Sequence, residues 1–91
     1  MKLTWRPGAF QQLQQIYRYI AQDNPTAAAA VRREIEKTAA LLAAYPEMGQ
    51  ATNRPNVYRK LVPGYPYHVF YRVLPDEVRI VSVRDARRRP S

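Results

Sequence analysis

The residues with the clearest chemical potential lie in the segment PYHVFYRV, residues 66–73, which holds the only histidine of the chain. Arg72 follows His68 at a spacing of four residues. An unperturbed imidazole titrates near pH 6.5 and can accept a proton at neutral pH, and a guanidinium can stabilise a phosphorane-like transition state. The pair is therefore a candidate for an RNA-cleaving site. The alternative is that both are structural residues, with His68 buried in the core or solvated on the outer side of a sheet.

The composition of the chain argues against metal, cofactor and membrane-spanning sites. The chain has 91 residues, no cysteine and one histidine, so we expect neither a thiolate metal site nor a zinc site, and no cofactor. No apolar stretch is long enough to span a bilayer, and no secretion signal is expected at the start. The sequence predicts a single domain, residues 1–91, located in the cytoplasm.

Charge is unevenly distributed along the chain. The net charge is +8, and residues 54–91 carry nine basic and three acidic residues, or +6. Part of that surplus lies just after the last predicted strand, in a group of arginines: Arg84, Arg87, Arg88 and Arg89. They form either a basic terminus without a function or an arm that contacts phosphates or acidic side chains. The asymmetry indicates a polyanionic partner, which is nucleic acid or an acidic protein segment.

Two helices are predicted in the first half of the chain. Pro7 suits the first turn of a helix, which should end near Gln22. Apolar residues in it recur at three- and four-residue steps and predict one buried face: Phe10, Leu13, Ile16 and Ile20. In QDNPTAAAAV, Asp23 or Asn24 can cap a second helix of about 20 residues that starts at Pro25. The two helices should form an antiparallel hairpin.

Strands are predicted on both sides of this hairpin. KLTW, residues 2–5, predicts a short first strand, and residues 45–56 predict an irregular loop. Three β-like runs follow, VYRKLV, YHVFYRV and EVRIVSV, separated by turns at Val62–Tyr65 and Leu74–Glu77. The predicted fold class is α+β, with an N-terminal strand and an antiparallel helical hairpin packed on one face of an antiparallel sheet, in the order βααβββ.

Alternation along the strands assigns side chains to two faces of the sheet. A hairpin centred on Pro75 and Asp76 turns one set toward the helices: Tyr67, Val69, Tyr71, Val73, Val78, Ile80 and Ser82. The other set should form an open face: Arg59, Leu61, His68, Phe70, Arg72, Arg79, Val81 and Val83. Arg72 and Arg79 would be directly opposed, which costs stability unless a negative group lies nearby. Lys60 should point toward the helix side or an edge. The open face exposes enough apolar surface to indicate a binding partner, and its basic residues indicate that this partner is anionic.

The order of these features resembles the ParE branch of the RelE/ParE toxins of bacterial type II toxin–antitoxin systems. The likeness spans nearly the whole chain: Trp5 before an Ala9–Leu13 helix start, YIAQDNPTAA at the helix junction, Leu42, Pro46, Met48 and Gly49, then YRKL, YPYHVFYRV and VSVRDARRRP. The resemblance implies a toxin neutralised by a cognate antitoxin, whose C-terminal segment wraps the toxin and whose N-terminal domain binds operator DNA. Any contact of the toxin with that DNA would be indirect.

Within this superfamily the ParE branch poisons DNA gyrase and the RelE branch cuts messenger RNA on the ribosome. Fold cannot choose between them. The resemblance places His68 where the RelE branch has a sheet arginine, and Arg87 near its late arginine. No tyrosine or histidine follows Val83, so the nuclease set is incomplete. We therefore expect a gyrase poison that is not an enzyme. A ribosome-dependent endonuclease using His68, Arg72 and Arg87 is the alternative, and a plain nucleic-acid-binding module is a third hypothesis.

Two overlapping contact sets follow from these expectations. The target-binding set is basic: Arg59, Arg72, Arg79, Arg84, Arg87 and Arg88. The antitoxin-binding set is mixed: Leu61, His68, Phe70, Arg72, Val81 and Val83. We expect the antitoxin to add a helix or strand over the open face and along the helical hairpin, through an acidic segment that contains leucine. Trp5 is expected in or near the core.

Overall fold

A computed structural model of the protein describes residues 1–87. The elements follow in this order: β1 (Lys2–Trp5), α1 (Pro7–Ala21), α2 (Pro25–Ala44), a 3₁₀ turn (Pro46–Met48), β2 (Gln50–Ala51), β3 (Tyr58–Leu61), β4 (Tyr67–Val73) and β5 (Glu77–Asp85). The predicted α+β fold class is confirmed. The two-residue strand β2 lies in a segment that was predicted to be wholly irregular, because two residues are too few to produce a strand pattern.

The helices begin where proline and a capping residue place them. Pro7 and Pro25 occupy first-turn positions, and the Asn24 side chain accepts a hydrogen bond of 3.0 Å from the Ala27 amide. Helix α1 buries Ala9 and Leu13, with Ile16 and Ile20 partly buried against the same core. In the part of the chain that the structure describes, no helix is long and apolar enough to cross a membrane.

One residue of the predicted helical stripe is misplaced. Phe10 is 42% exposed, whereas Ala9 is fully buried. Successive helical residues are rotated by about 100°, so a buried face centred on Ala9 and Leu13 turns Phe10 outward. The small alanine was the better marker of the close helix–sheet approach. Trp5 packs against the core, as predicted.

The five strands form one sheet in the order β1-β5-β4-β3-β2. β1 runs parallel to β5, and the other neighbours are antiparallel. The turn between β3 and β4 has the predicted geometry, since the Tyr65 amide donates to the Val62 carbonyl at 3.2 Å and Gly64 has φ 82°. Between β4 and β5, the Leu74 amide donates to the Glu77 carbonyl at 2.8 Å.

The pairing of β4 with β5 contains a β-bulge that changes which residues share a face. Tyr71 pairs with Ile80, but Phe70 pairs with Ser82, so Val81 is the extra residue. Beyond it, Val83 pairs with Val69. The predicted open-face position of Val83 is therefore wrong, since this residue is 3% exposed and lies in the core. The predicted inward position of Ser82 is wrong for the same reason. An extra residue reverses the facing of everything after it.

Tyr71 connects the sheet to the segment that follows α2. Its hydroxyl donates to the Pro46 carbonyl at 2.6 Å and accepts from the Gly49 amide at 2.9 Å. The side chain is fully buried, and this burial raises the pKa of its hydroxyl, partly offset by the Gly49 hydrogen bond. A Cβ on Gly49 would lie 2.1 Å from the tyrosine oxygen. Glycine is therefore required here by close approach.

Candidate partner-binding surface

The strand registers arrange the open face of the sheet in cross-strand rows. Leu61, His68 and Arg84 form one row across β3, β4 and β5. Arg59, Phe70 and Ser82 form the next. The last row consists of Arg72 opposite Arg79. These eight residues make up the open face, which combines guanidinium groups with exposed or half-buried apolar side chains.

His68 has an environment that keeps its imidazole neutral. Its ring lies 6.0 Å from the Phe70 ring in an edge-on arrangement. Partial burial lowers the pKa of His68 below 6.5, and the positive charge of Arg59 lowers it further. A neutral imidazole can accept a proton or a hydrogen bond at neutral pH. The surroundings of His68 are thus cationic and apolar, with Arg84 directly across the strand pair.

Of the two opposed arginines at the other end of the face, Arg79 is the one with an acidic partner within residues 1–87. Arg72 and Arg79 are direct cross-strand partners, as predicted. The Arg79 guanidinium forms an ion pair of 3.4 Å with Glu77, whose carboxylate also accepts a hydrogen bond from the Thr4 hydroxyl. Thr4 first and Arg79 next hold the pKa of Glu77 below its usual value. Within residues 1–87, none of Arg59, Arg72 and Arg84 forms an ion pair, so these three guanidiniums of the open face are the candidates for contact with a partner.

The three candidate catalytic residues are not brought together. His68 and Arg72 share the open face, but four steps along the strand separate their backbones by about 13 Å, with Phe70 between them. Arg87 lies beyond the end of β5 and bonds to Asp85, which pairs with Tyr67 on the helix-facing side of the sheet. The side chain that lies directly beside His68 is Arg84.

A groove of about 540 Å³ lies between α1 and the last part of β5. Its lining includes four apolar or aromatic side chains and five polar or charged ones: Ile16, Tyr19, Tyr67 and Val83, with Gln12, Gln15, Arg84, Asp85 and Arg87. The β5 edge is exposed to α1 here because β1 pairs with β5 only as far as Ile80. Gln12 covers that edge, since its side-chain oxygen accepts a hydrogen bond of 2.8 Å from the Val83 amide.

Asp85 and Arg87 form the polar end of this groove. The Arg87 guanidinium donates from Nε to Oδ1 of Asp85 at 3.2 Å and from Nη2 to Oδ2 at 3.0 Å. The Arg87 amide also donates to Oδ1 at 2.8 Å. These hydrogen bonds raise the pKa of Arg87. The Ala86 amide donates to the Pro66 carbonyl at 2.7 Å, which ties the chain after β5 to the turn before β4.

The other residues predicted to bind a partner lie partly where the sequence placed them and partly elsewhere. Arg59, Leu61, His68, Phe70, Arg72 and Arg79 lie on the open face as predicted. Arg84 belongs to β5, not to a tail after it, and Val81 occupies the bulge. Lys60 pairs with the buried Val69 and so points toward the helix side, as predicted. The predicted roles of Arg88 and Arg89 lie outside the described residues.

Sequence reasoning missed three features of the surface. Ser82 and Arg84 reach the open face through the bulge, which leaves no mark in an alternating valine run. Asp85 stands out in the sequence as the one acidic residue among the late arginines. Its pairing with Arg87, however, could not be predicted from the sequence. The groove depends on where β1 ends relative to β5, and only the fold supplies that.

Within residues 1–87, no group of three or more His, Cys, Asp and Glu side chains could hold a metal ion.

The fold and this surface define a small α+β protein with a basic, partly apolar sheet face. Residues 3–90 match the model of the family described as the ParE toxin of type II toxin–antitoxin systems, parDE. The chain therefore belongs to the ParE toxin family, as the sequence features had indicated. A comparison with curated proteins found no match.

Solved structures with the same fold come from toxin–antitoxin systems. The chain is similar to a chain of the chromosomal ParDE system from P. aeruginosa, with 24% identity, a TM-score of 0.82, and coverage of 93% of this chain and 95% of that one. It is also similar to a chain of the intact E. coli RelBE toxin–antitoxin complex, with 19% identity, a TM-score of 0.71, and coverage of 96% and 98%. For the isolated E. coli RelE toxin, the identity is 18% and the TM-score is 0.71. The similarity covers 97% of this chain and 86% of that one. These structures share the RelE/ParE fold.

Proposed function

We propose that this type II toxin inhibits DNA gyrase by binding it, without catalysing a reaction, and that a cognate antitoxin neutralises it. The observation that carries the proposal is the match of residues 3–90 to the ParE toxin family, the branch known for poisoning gyrase. The toxin would act in the cytoplasm, where replication takes place. Its production should stop growth, elongate cells and induce the DNA-damage response.

The open face supports binding rather than catalysis. General acid–base cleavage of RNA needs both a proton acceptor and a proton donor near the reacting bond. Among the described residues of the open face, His68 is the one side chain that ordinarily titrates near neutral pH, and Glu77 beside that face is occupied by Thr4 and Arg79. Tyr67 and Tyr71 lie on the helix-facing side. The open face therefore has a candidate base and cations, but no evident second acid.

The antitoxin is the proposed partner of the same surface. The ParDE and RelBE structures come from toxin–antitoxin systems, the second described as the intact complex. An acidic segment that contains leucine would pair its carboxylates with Arg59 and Arg72 and cover Phe70 and Leu61, which is 50% exposed. Such a segment would block the surface offered to gyrase. Contact with operator DNA would be made by the antitoxin.

A supercoiling assay with purified gyrase tests the proposal. The wild-type toxin should inhibit supercoiling and stabilise cleaved DNA at micromolar concentration, and an Arg72→Ala/Arg84→Ala variant should be at least tenfold weaker. An Arg33→Ala/Lys37→Ala variant removes the same charge from the outer side of α2 and should inhibit like the wild type. Unimpaired supercoiling together with no stabilised cleavage would refute gyrase as the target.

The second candidate function is ribosome-dependent cleavage of messenger RNA. It is favoured by one observation, a neutral imidazole beside an arginine, since His68 and Arg84 are cross-strand neighbours. His68→Ala should then abolish toxicity, and wild-type toxin should produce cuts in translated messages at fixed codon positions. Full toxicity of His68→Ala, combined with inactive Arg72→Ala/Arg84→Ala, would exclude a catalytic imidazole and favour the binding proposal.

A further inference from the structure

The groove between α1 and β5 contains a guanidinium that the fold holds in one orientation. Three hydrogen bonds from Arg87 end on the two oxygens of Asp85. The Arg87 side chain is nevertheless 70% exposed. Because only Nε and Nη2 of the guanidinium bond to Asp85, the group retains N–H donors for a second acceptor. An exposed arginine ordinarily samples many rotamers, and the hydrogen bonds to Asp85 favour one of them before any partner arrives.

The Asp85–Arg87 contact also affects which kind of anion the groove can bind. Asp85 offsets the charge of Arg87 and leaves its directional hydrogen-bonding capacity in place. A guanidinium can hold either a carboxylate or a phosphate in a planar, two-point contact, but the binding of phosphate chains depends mainly on net positive charge. The remaining lining combines apolar and aromatic side chains with two glutamines and one further cation: Ile16, Tyr19, Tyr67, Val83, Gln12, Gln15 and Arg84. This combination suits a protein segment with an acidic and an apolar side chain better than it suits nucleic acid.

The β5 edge along the groove is already covered. The Val83 amide, which a pairing strand would otherwise use, donates to the Gln12 side chain. An occupant of the groove is therefore recognised by its side chains, with an apolar group between Ile16 and Val83 and a carboxylate at Arg87.

We propose that this groove binds an acidic, apolar segment of the cognate antitoxin, and that Asp85 is a positioning residue that presents the Arg87 guanidinium to a carboxylate of that segment. The inference rests on the proposed antitoxin partnership and adds to it a second contact region, which adjoins the open face at Arg84. Arg87, assigned by sequence to the target or to catalysis, becomes an antitoxin contact.

A double-mutant cycle on the full-length toxin tests the proposal, with affinity and rates measured against the antitoxin encoded beside it. Arg87→Ala should weaken binding about tenfold, as expected for a charge-assisted hydrogen bond. Asp85→Asn should weaken it about fivefold, entirely through faster dissociation, because the added positive charge favours association. In the Arg87→Ala background, Asp85→Asn should cause no further loss of affinity. Arg87→Lys, which keeps the charge but not the fork, should bind nearly as weakly as Arg87→Ala.

Controls separate this role from a structural one. Arg33→Ala removes one positive charge from the exposed side of α2 and should bind within twofold of the wild type. The melting temperatures of all variants should agree within about 3 °C, since exposed pairs contribute little to stability. A charge-reversed Arg87→Glu provides a variant with a larger effect if truncation proves too mild, and it should weaken binding well beyond tenfold.

Several results would overturn the proposal. Equal losses from Asp85→Asn with and without Arg87 would show that Asp85 does not act through Arg87. Wild-type affinity in Arg87→Lys would show that positioning is unimportant. Unchanged affinity in Arg87→Ala and Arg87→Glu, with weaker binding of Arg87→Ala to a non-specific DNA duplex, would assign the groove to phosphates. If the wild-type toxin does not bind the antitoxin at all, the proposed partnership itself fails, and the occupant of the groove fails with it.

Discussion

The two faces of the central strand β4 differ in where their polar groups find partners. On the helix-facing side, Tyr71 is fully buried and both bonds of its hydroxyl are made within the protein. Its neighbour Arg72 lies on the open face, opposite another arginine, without an ion pair in the described part of the chain. Of these two adjacent residues, Tyr71 therefore completes the fold, whereas Arg72 remains available to the proposed partner.

This difference separates stability from recognition along one strand. Substitutions on the helix-facing side should change the free energy of unfolding and leave partner affinity unchanged per folded molecule. Substitutions on the open face should do the reverse, because their side chains contribute little to the core. Variants on both faces test that separation, and the largest expected change is a loss of stability.

Gly49→Ala should destabilise the protein by about 2–3 kcal/mol, the cost of overpacking at a rigid contact. The new methyl group would lie 2.1 Å from the Tyr71 hydroxyl oxygen and 2.7 Å from a ring carbon of the same buried side chain. Either Tyr71 moves and loses its bonds to Pro46 and Gly49, or the 3₁₀ turn shifts. Urea unfolding followed by circular dichroism measures the loss.

Gly8→Ala is the matched control for that substitution. A Cβ at Gly8 meets nothing within 4 Å, and the residue lies in the first turn of α1. Alanine is the better helix former, so the variant should be neutral or more stable by up to about 1 kcal/mol. If Gly49→Ala unfolded at the same urea concentration as Gly8→Ala, the Tyr71 contact would not be rigid, and the assignment of this face to stability would weaken.

The bulge in β5 allows a comparison between two valines separated by one residue. Val83→Ala should cost about 2 kcal/mol, since it removes two buried methyl groups from a site that is 3% exposed. Val81→Ala, at the partly buried extra residue of the bulge, should cost less than half as much. Thermal unfolding of both variants measures the difference. The uninterrupted alternation expected from the sequence makes the two valines equivalent, so equal losses would contradict the bulge.

The same two valines show how far the sequence could be interpreted. Helix starts were predictable because proline and Asn24 act locally, and the turn at Gly64 was predictable because its φ of 82° favours glycine. Face assignments before the bulge were correct, including Arg72 opposite Arg79. After it, Val83 and Ser82 were exchanged, because a bulge is set by contacts across strands and leaves no local signal. The groove was unpredictable because it joins α1 to residues about 70 positions later.

Arg72→Ala should have opposite effects on stability and on binding. Removing one of two opposed guanidiniums should raise the free energy of unfolding by a few tenths of a kcal/mol, the usual size of a cross-strand like-charge penalty. Antitoxin affinity should fall about tenfold through loss of a guanidinium–carboxylate contact. Calorimetric titration and thermal unfolding of the same sample measure both.

Lys37→Ala is the control for Arg72→Ala. Lys37 is exposed on α2, one turn after Arg33, so its removal also relieves a like-charge pair, with a gain of about 0.2–0.5 kcal/mol. Its antitoxin affinity should stay at the wild-type value. If Lys37→Ala weakened binding as much as Arg72→Ala, affinity would follow net charge, and the open face would have no special role.

The smallest effect concerns pH and His68. Its pKa in the folded protein is lowered by burial and by Arg59, so the folded state favours the neutral imidazole. Stability from this residue is therefore complete above pH 6.5, the unfolded value, and is lost as the pH falls through the lower folded pKa. Between pH 7.5 and 5.5 the wild type should lose slightly more unfolding free energy than His68→Asn, measured by urea unfolding at each pH. Parallel losses would mean that the open face does not disfavour the imidazolium. If acidification instead raised the unfolding free energy of the wild type relative to His68→Asn, an acidic group inside the toxin would already pair with His68. The polar groups at this end of the open face would then find their partners within the protein, as those on the helix-facing side do.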